Sequence, residues 1–399
     1  MYRIKYKGVV RMGKLTSEER VQILADIVGI ESVNDHELDV AEYLHDLLKK
    51  HDIDSKIIKL TDTRANLVAE IGNGSPVIGV SGHMNVVSPS NPEDWQTPPF
   101  KLTEDDEGHL HGRGAADMKS GLAALVISLI ELHDQGLPKE GTIRLLATVG
   151  EEIEGDGAKA FQKEGYMEDV DALIIAEPSQ DKIIYAHKGS MDIRVTSKGS
   201  SVHSSMPHLG YNALNPLVDY VHRINEAQAA IKSTNEQLGD PIVNATIFNS
   251  GSQVNSIPDY AVTEFNIRTI PEADNAGYQD LFEQVAKDVK MAYKDSDLHV
   301  DTYMSRPSVF TNGENSVIDL AQELGKKYLG NDIPKEASPG VTDAADLVVD
   351  KGEDFPFIMF GPGQTSQAHR VDEYVEKDVY LKFIDLFEEL LTQSIDKLK

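Results

Sequence analysis

The 399-residue chain has no cysteine and a single tryptophan. The missing thiol excludes disulfides, thiolate zinc fingers, iron–sulfur ligation and cysteine nucleophiles. Any metal must then be held by oxygen and imidazole nitrogen. Basic charge is also scarce: 38 Lys+Arg stand against 66 Asp+Glu, a formal charge of −28. So acidic a balance argues against nucleic acid, where affinity rests on Lys and Arg, and against anionic membranes. No run approaches the roughly 20 apolar residues of a membrane span. Residues 1–14 are basic, but their apolar part, Gly8-Val9-Val10, is too short for an export signal. A cytoplasmic protein is expected, with Met12 competing with Met1 as the start.

What is present suffices for folding. Hydrophobic residues make up 40 %, enough for real cores. The length suggests two or three domains at roughly 100–200 residues each. Thr16-Ser17-Glu18-Glu19 reads as a helix cap, and residues 16–50 as one or two helices. Short strands are expected at 55–60 and 66–71. Three apolar strands end in polar residues: 76–83, 142–149 and 172–176. A helix over 115–135 separates the first two. This alternation predicts a mostly parallel α/β sheet. After about residue 189 the order becomes strand 191–197, helix 211–232, strands 244–249 and 260–268, helix 276–293 and strand 298–304. That is the β-α-β-β-α-β order of a ferredoxin-like unit. Helix 315–329 and strand 356–360 then resume the α/β style. The expected fold is therefore a discontinuous catalytic domain, 1–189 and 305–399, with an inserted ferredoxin-like α+β domain at 190–304.

The polar residues at the strand ends are His83, Glu151-Glu152 and Glu177. Ligands of open α/β sheets gather at the carboxyl ends of strands. Asp117 opens a helix after the turn Gly112-Arg113-Gly114, and His369 follows the turn Gly361-Pro362-Gly363. Singly, each has a plain structural reading as a cap, a solvated loop acid or a packed histidine. Together, two imidazoles and three carboxylates suit a divalent metal, with zinc first.

These segments carry a resemblance. Ser81-Gly82-His83-Met84-Asn85, Gly112-Arg113-Gly114-Ala115-Ala116-Asp117-Met118-Lys119-Ser120-Gly121, Gly150-Glu151-Glu152, Ala176-Glu177-Pro178 and His369-Arg370-Val371-Asp372-Glu373 are similar to the dinuclear zinc aminoacylase/carboxypeptidase family. Their wording is nearest its succinyl-diaminopimelate desuccinylase and acetylornithine deacetylase branch. The resemblance implies two zinc ions, with cobalt or manganese as substitutes. It gives His83 and Glu177 to one ion, Glu152 and His369 to the other, and makes Asp117 the bridge. Glu151 is then the general base and later the general acid. Its separation from Glu152 is expected from opposite side-chain directions on an extended segment.

Asn85 departs from the family, which has Asp there to buttress the histidine ligand. Losing such a carboxylate typically costs about 10–100-fold in metal affinity or activity, so Asn85→Asp is expected to tighten the His83 site. In the insert, His203 resembles a histidine that reaches across a dimer interface to hold an oxyanion. Arg268, Asn244 and Asn255 resemble substrate-binding positions, Arg268 being a planar fork for a carboxylate. Gly340 and Thr342, ahead of a helix expected at 343–350, read equally as an anion site or as an ordinary cap. His109 and His111 have metal-pair spacing but read as strand-edge surface, and Trp95 as structural.

The expectation is thus a metal-dependent amidohydrolase for a small anionic N-acyl amino acid. Succinyl-diaminopimelate is the first substrate, and acetylornithine, other N-acyl amino acids and dipeptides are alternatives. A homodimer through the insert is expected, with no nucleic-acid or membrane partner. A catalytically weakened, metal-stabilised binding protein is the alternative of another class. A Rossmann-type reading fails, because the third glycine is missing at the required spacing.

Overall fold

The computed structural model describes residues 14–399, so the choice between Met1 and Met12 lies outside the described residues. The chain forms two compact units. One comprises residues up to 185, 311–336 and 351–399; the other comprises 186–310 and 337–350. Segment 337–350 lies with the inserted part, whereas the sequence reading kept it with the flanking α/β segments.

The first unit opens with α1 (Ser17–Val28), where Thr16 and Glu19 form a reciprocal capping box. Helix α2 (Leu38–Lys50) and strands β1 (Ser55–Lys59), β2 (Ala65–Asn73) and β3 (Val77–His83) follow. A hairpin of β4 (Thr103–Glu104) and β5 (His109–His111) precedes α3 (Lys119–Asp134). Next come β6 (Gly141–Thr148), α4 (Asp156–Lys163), β7 (Ala172–Pro178) and β8 (Ile183–His187).

The inserted unit contains β9 (Gly189–Lys198), α5 (Leu214–Ala230), β10 (Ile242–Ser250), β11 (Tyr260–Thr269), α6 (Asn275–Ala292) and β12 (Asp297–Arg306). Its sheet order, β10-β11-β9-β12 with antiparallel neighbours, is the ferredoxin-like order. Burial alternates along β9 and β11. One face therefore packs on the helices, around Ile193, Leu217, Tyr220, Phe265 and Phe282. The edge strand β10 is largely exposed.

The chain then forms α7 (Ser316–Leu329), β13 (Lys335–Ser338), the single turn α8 (Ala344–Leu347), β14 (Phe357–Gly361), β15 (Tyr374–Glu376) and α9 (Lys377–Leu398). The large sheet runs β1-β2-β6-β3-β7-β14-β8-β13. Its central four strands, β6, β3, β7 and β14, are mutually parallel. Strands β3, β6 and β7 are buried along their whole length, as expected of a sheet covered on both faces. Helix α3 is buried over most of its circumference and packs on α9, where Ser128 donates to the Ile384 carbonyl at 3.1 Å. Gly121 permits the close seating of α3 on β7: a Cβ there would stand 1.9 Å from the Ala176 carbonyl oxygen. Among the described residues no helix is long and apolar enough to cross a membrane.

Candidate metal centre and active site

Four neighbouring parallel strands deliver the polar residues to one end of the sheet. His83 ends β3, and Glu177 lies near the end of β7. Glu151 and Glu152 follow β6, and His369 follows β14. Asp117 stands just before α3, which the Gly121 contact seats against β7. The carboxyl ends of adjacent parallel strands are where α/β sheets place ligands.

The side chains converge as two groups sharing one residue. In His83–Asp117–Glu177 and in Asp117–Glu152–His369, one donor atom of each residue lies within 4.8 Å of the others. Nε2 of His83 stands 3.2 Å from Oδ1 of Asp117 and 3.8 Å from Glu177. Nε2 of His369 stands 3.5 Å from Oδ2 of Asp117 and 2.9 Å from Glu152. Asp117 therefore turns one oxygen toward each histidine.

Tautomer and backbone add to this picture. Nδ1 of His83 lies 2.9 Å from the Asn85 carbonyl oxygen, which can only accept. Nδ1 therefore donates, and Nε2 is the ring nitrogen turned toward the carboxylates. His369 has φ +63°, a left-handed conformation uncommon outside glycine. Such strain gathers at functional sites.

The electrostatics describe a crowded acidic cluster. Burial pushes the Glu177 carboxyl well above its ordinary range, against the pull of His83. Burial also raises Glu152, opposed by its bond to His369. Burial disfavours charge on His83, yet Glu177 and Asp117 outweigh it and hold that imidazole well above its usual value. Glu151 contributes to the field on both His83 and Glu177. Imidazole and carboxylate are the donors that divalent zinc, cobalt or manganese accept, and two ions sharing a carboxylate would relieve this repulsion.

Two residues of the family-like segments, Glu373 and Lys119, build the support. Glu373, fully buried, accepts from the backbone N–H groups of Ala116 and Asp117 at 2.8 and 2.9 Å and pairs with Arg113. Lys119, also buried, donates to the carbonyls of Ile27 and Ile30 at 2.8 Å each and ties the start of α3 to the end of α1. In the Gly112–Gly121 segment the signal was charged residues standing among glycines and alanines.

Two expectations need correction. The Asn85 side chain does not touch the His83 ring; its main-chain carbonyl does that. Its Oδ1 accepts from the Glu151 N–H at 3.2 Å, and its Nδ2 donates to Asn34 at 3.0 Å. Residues 151–154 form a turn closed by Ile153 and Gly155 N–H groups on the Gly150 carbonyl. Glu151 and Glu152 are thus divided by a turn rather than by an extended segment.

Comparison with known proteins agrees with this layout. The model of Peptidase family M20/M25/M40 matches residues 79–393. The chain belongs to that family. A Staphylococcus epidermidis relative, "Probable succinyl-diaminopimelate desuccinylase", is 43 % identical, with 97 % of this chain and 100 % of the relative covered. The structure of the Sulfolobus solfataricus M20 metallo-carboxypeptidase Sso-CP2 superposes with TM-score 0.79 at 20 % identity, covering 94 % of this chain and 98 % of that one. A Bacillus subtilis protein described as a dinuclear metal binding peptidase of the M20 family superposes with TM-score 0.68 at 19 % identity, covering 96 % and 99 %.

The remaining residues expected in this M20/M25/M40 member's site lie in the inserted unit, whereas the histidine–carboxylate cluster lies wholly in the first. His203 is exposed, and its Nδ1 accepts from the Ser205 N–H at 3.2 Å, leaving the proton on Nε2. Arg268 is half-buried on β11, where burial lowers its pKa and Asp192 opposes that. Asn244 is exposed on β10, and Asn255 is exposed in the loop before β11. The helix expected at 343–350 is only α8, Ala344–Leu347. Thr342 accepts weakly from the Ala344 N–H at 3.4 Å, and Gly340 donates to Ser338. The preceding Asp343 pairs with buried Arg306. The N-cap position of this single turn is Asp343, with no side-chain cap hydrogen bond, so Thr342 does not cap the helix and a carboxylate stands at its start.

Proposed function

We propose that the protein is a metal-dependent amidohydrolase that removes the acyl group from a small N-acyl amino acid, with N-succinyl-diaminopimelate as its substrate. The observation that carries this reading is Asp117, shared between two histidine–carboxylate groups with one oxygen toward each. The 43 % identical relative named a desuccinylase supports the substrate. The Bacillus subtilis neighbour's dinuclear metal binding supports two ions. His83 and Glu177 would hold one ion, Glu152 and His369 the other, and Asp117 both, with zinc the first choice. When bound, the ion pair supplies Lewis-acid polarisation of the scissile carbonyl and acidifies the attacking water.

The chain's residues supply the rest. Glu151 takes a proton from the attacking water and passes it to the leaving amine nitrogen. Its backbone N–H, anchored on Asn85, fixes the turn from which it acts. Glu373 and Lys119 keep Asp117 and α3 in place. Nε2–H of His203 donates to the oxyanion as it develops on the amide carbonyl. Arg268 takes a substrate carboxylate.

His203 acts across a homodimer formed through the inserted unit. Edge strand β10 exposes Ile242, Ile247 and Phe248, about two-fifths of each being accessible. An open apolar edge of this kind favours pairing with a second copy. This reading places the enzyme in the cytoplasm, in diaminopimelate synthesis. The test is hydrolysis by metal-loaded protein of N-succinyl-diaminopimelate, N-acetylornithine, N-acetylmethionine and a dipeptide. Preference for the succinyl substrate is expected. Preference for another acyl group refutes the substrate, and no hydrolysis of any refutes the enzyme.

A further inference from the structure

The β4–β5 hairpin carries a second constellation of metal-binding side chains. His109 and His111 stand two residues apart on β5 and so share a face. Asp105, in the turn before them, sends one oxygen to both rings. Its Oδ2 lies 3.0 Å from Nδ1 of His109 and 3.0 Å from Nε2 of His111. Its Oδ1 is fixed by the backbone N–H groups of Glu107 and His109, each at 2.9 Å. Glu107 brings a further carboxylate oxygen to 3.8 Å from Nδ1 of His109. Tyr374, paired with His111 across β15 and β5, packs on both rings at centroid distances of 4.1 and 5.3 Å.

The hydrogen bonding of His111 decides what this arrangement can do. Its Nδ1 lies 3.0 Å from the Asp372 carbonyl oxygen, an obligate acceptor, so that nitrogen carries the proton. With Nδ1 donating, Nε2 is the ring nitrogen turned onto the Asp105 carboxylate. Two electron-rich atoms at 3.0 Å are compatible only with a proton or a cation between them. A ring N–H held by a carbonyl, with the other nitrogen beside a carboxylate, is how metal-ligating histidines are oriented. The side chains of Asp105, His109 and His111 retain 35, 21 and 18 % exposure, so an ion can enter from solvent.

We propose that Asp105, His109 and His111 form a site for one divalent transition-metal ion such as Zn2+ or Ni2+, with Glu107 able to complete the shell. Nitrogen-rich sites favour these ions over Mg2+ or Ca2+. None of its donors belongs to the histidine–carboxylate cluster, and the site does not depend on the proposed hydrolysis. Because Asp372 holds His111 and lies three residues from His369, an occupied site clamps the hairpin to the segment that carries His369.

The test is calorimetric titration of the chelator-stripped full-length protein with Ni2+, alongside H109Q, H111Q and H369Q, each checked for folding by circular dichroism. Both hairpin variants are expected to bind one equivalent fewer than the parent, or to bind it at least about tenfold more weakly. H369Q is expected to keep that equivalent. D105N, which preserves an oxygen for the two backbone N–H groups, gives the same loss should a histidine variant fail to fold. Equal stoichiometry and affinity in the parent and the hairpin variants overturns the site. Loss of the same equivalent in H369Q overturns its independence from the cluster.

Discussion

At the scale of single residues, the departure at position 85 reads differently once its contacts are known. From the sequence, Asn85→Asp should tighten metal binding by restoring a buttress to His83. The buttress is instead the main-chain carbonyl of residue 85, which any side chain leaves in place. Asn85→Asp is therefore expected to change metal affinity less than about tenfold, the lower end of what loss of a ligand's partner costs. Competitive chelator titration measures this. Asn85→Ala is the costlier change: it strips the acceptor from the part-buried Glu151 N–H, a loss of about 1 kcal/mol, readable by urea unfolding. The metal-type residues themselves were legible in the sequence, because chemistry of that density at strand ends is rare. The Asn85 contact was not, since nothing in the sequence says whether a side chain or its own carbonyl meets a ring.

At the scale of elements, the long, strongly periodic segments were readable and the short ones were not. Strands β3, β6 and β7, helix α3 and the whole β-α-β-β-α-β insert lie close to where apolar periodicity put them. Strands β4, β5, β13 and β15 have two to four residues, too few for a local pattern to announce them. Helix α9 was missed despite a clear pattern: Tyr380, Phe383, Ile384, Phe387, Leu390 and Leu391 recur at helical spacing and are buried. The α3–β7 contact also escaped sequence reading. Gly121→Ala puts a methyl group where the Ala176 carbonyl stands. The expected result is a loss of about 1–3 kcal/mol or more from overpacking, together with weaker metal binding, because α3 carries Asp117 away from Glu177. Unfolding and chelator titration on one sample separate the two. In the insert, burial lowers the His187 pKa to about 4, with Arg306 and Arg268 adding to the effect. The folded protein then binds fewer protons there than the unfolded chain between about pH 4 and the ordinary histidine value near 6.5. This contribution to stability is complete above about pH 6.5 and lost as pH falls toward 4. His187→Leu should flatten that part of the stability–pH curve by up to one proton.

At the scale of the molecule, the charge of −28 and the missing cysteine acquire a structural sense. Glu151, Glu152, Glu177 and Asp117 concentrate negative charge at one end of the large sheet. Two divalent ions there would offset those four carboxylate charges, so an anionic substrate would not face uncompensated negative charge at the site of an acidic protein. Removing metal should lower the melting temperature, and restoring Zn2+ should recover it as the ion binds only the folded state. Light scattering should give twice the chain mass; a strictly monomeric mass removes the trans role of His203. The central claim is that Glu151 moves the proton at a site whose ions are held by other residues. It is tested most directly by kcat on N-succinyl-diaminopimelate for metal-loaded parent and E151Q protein of equal metal content. The account predicts a fall of about 10²–10⁴-fold in E151Q with its metal retained; undiminished kcat would contradict it.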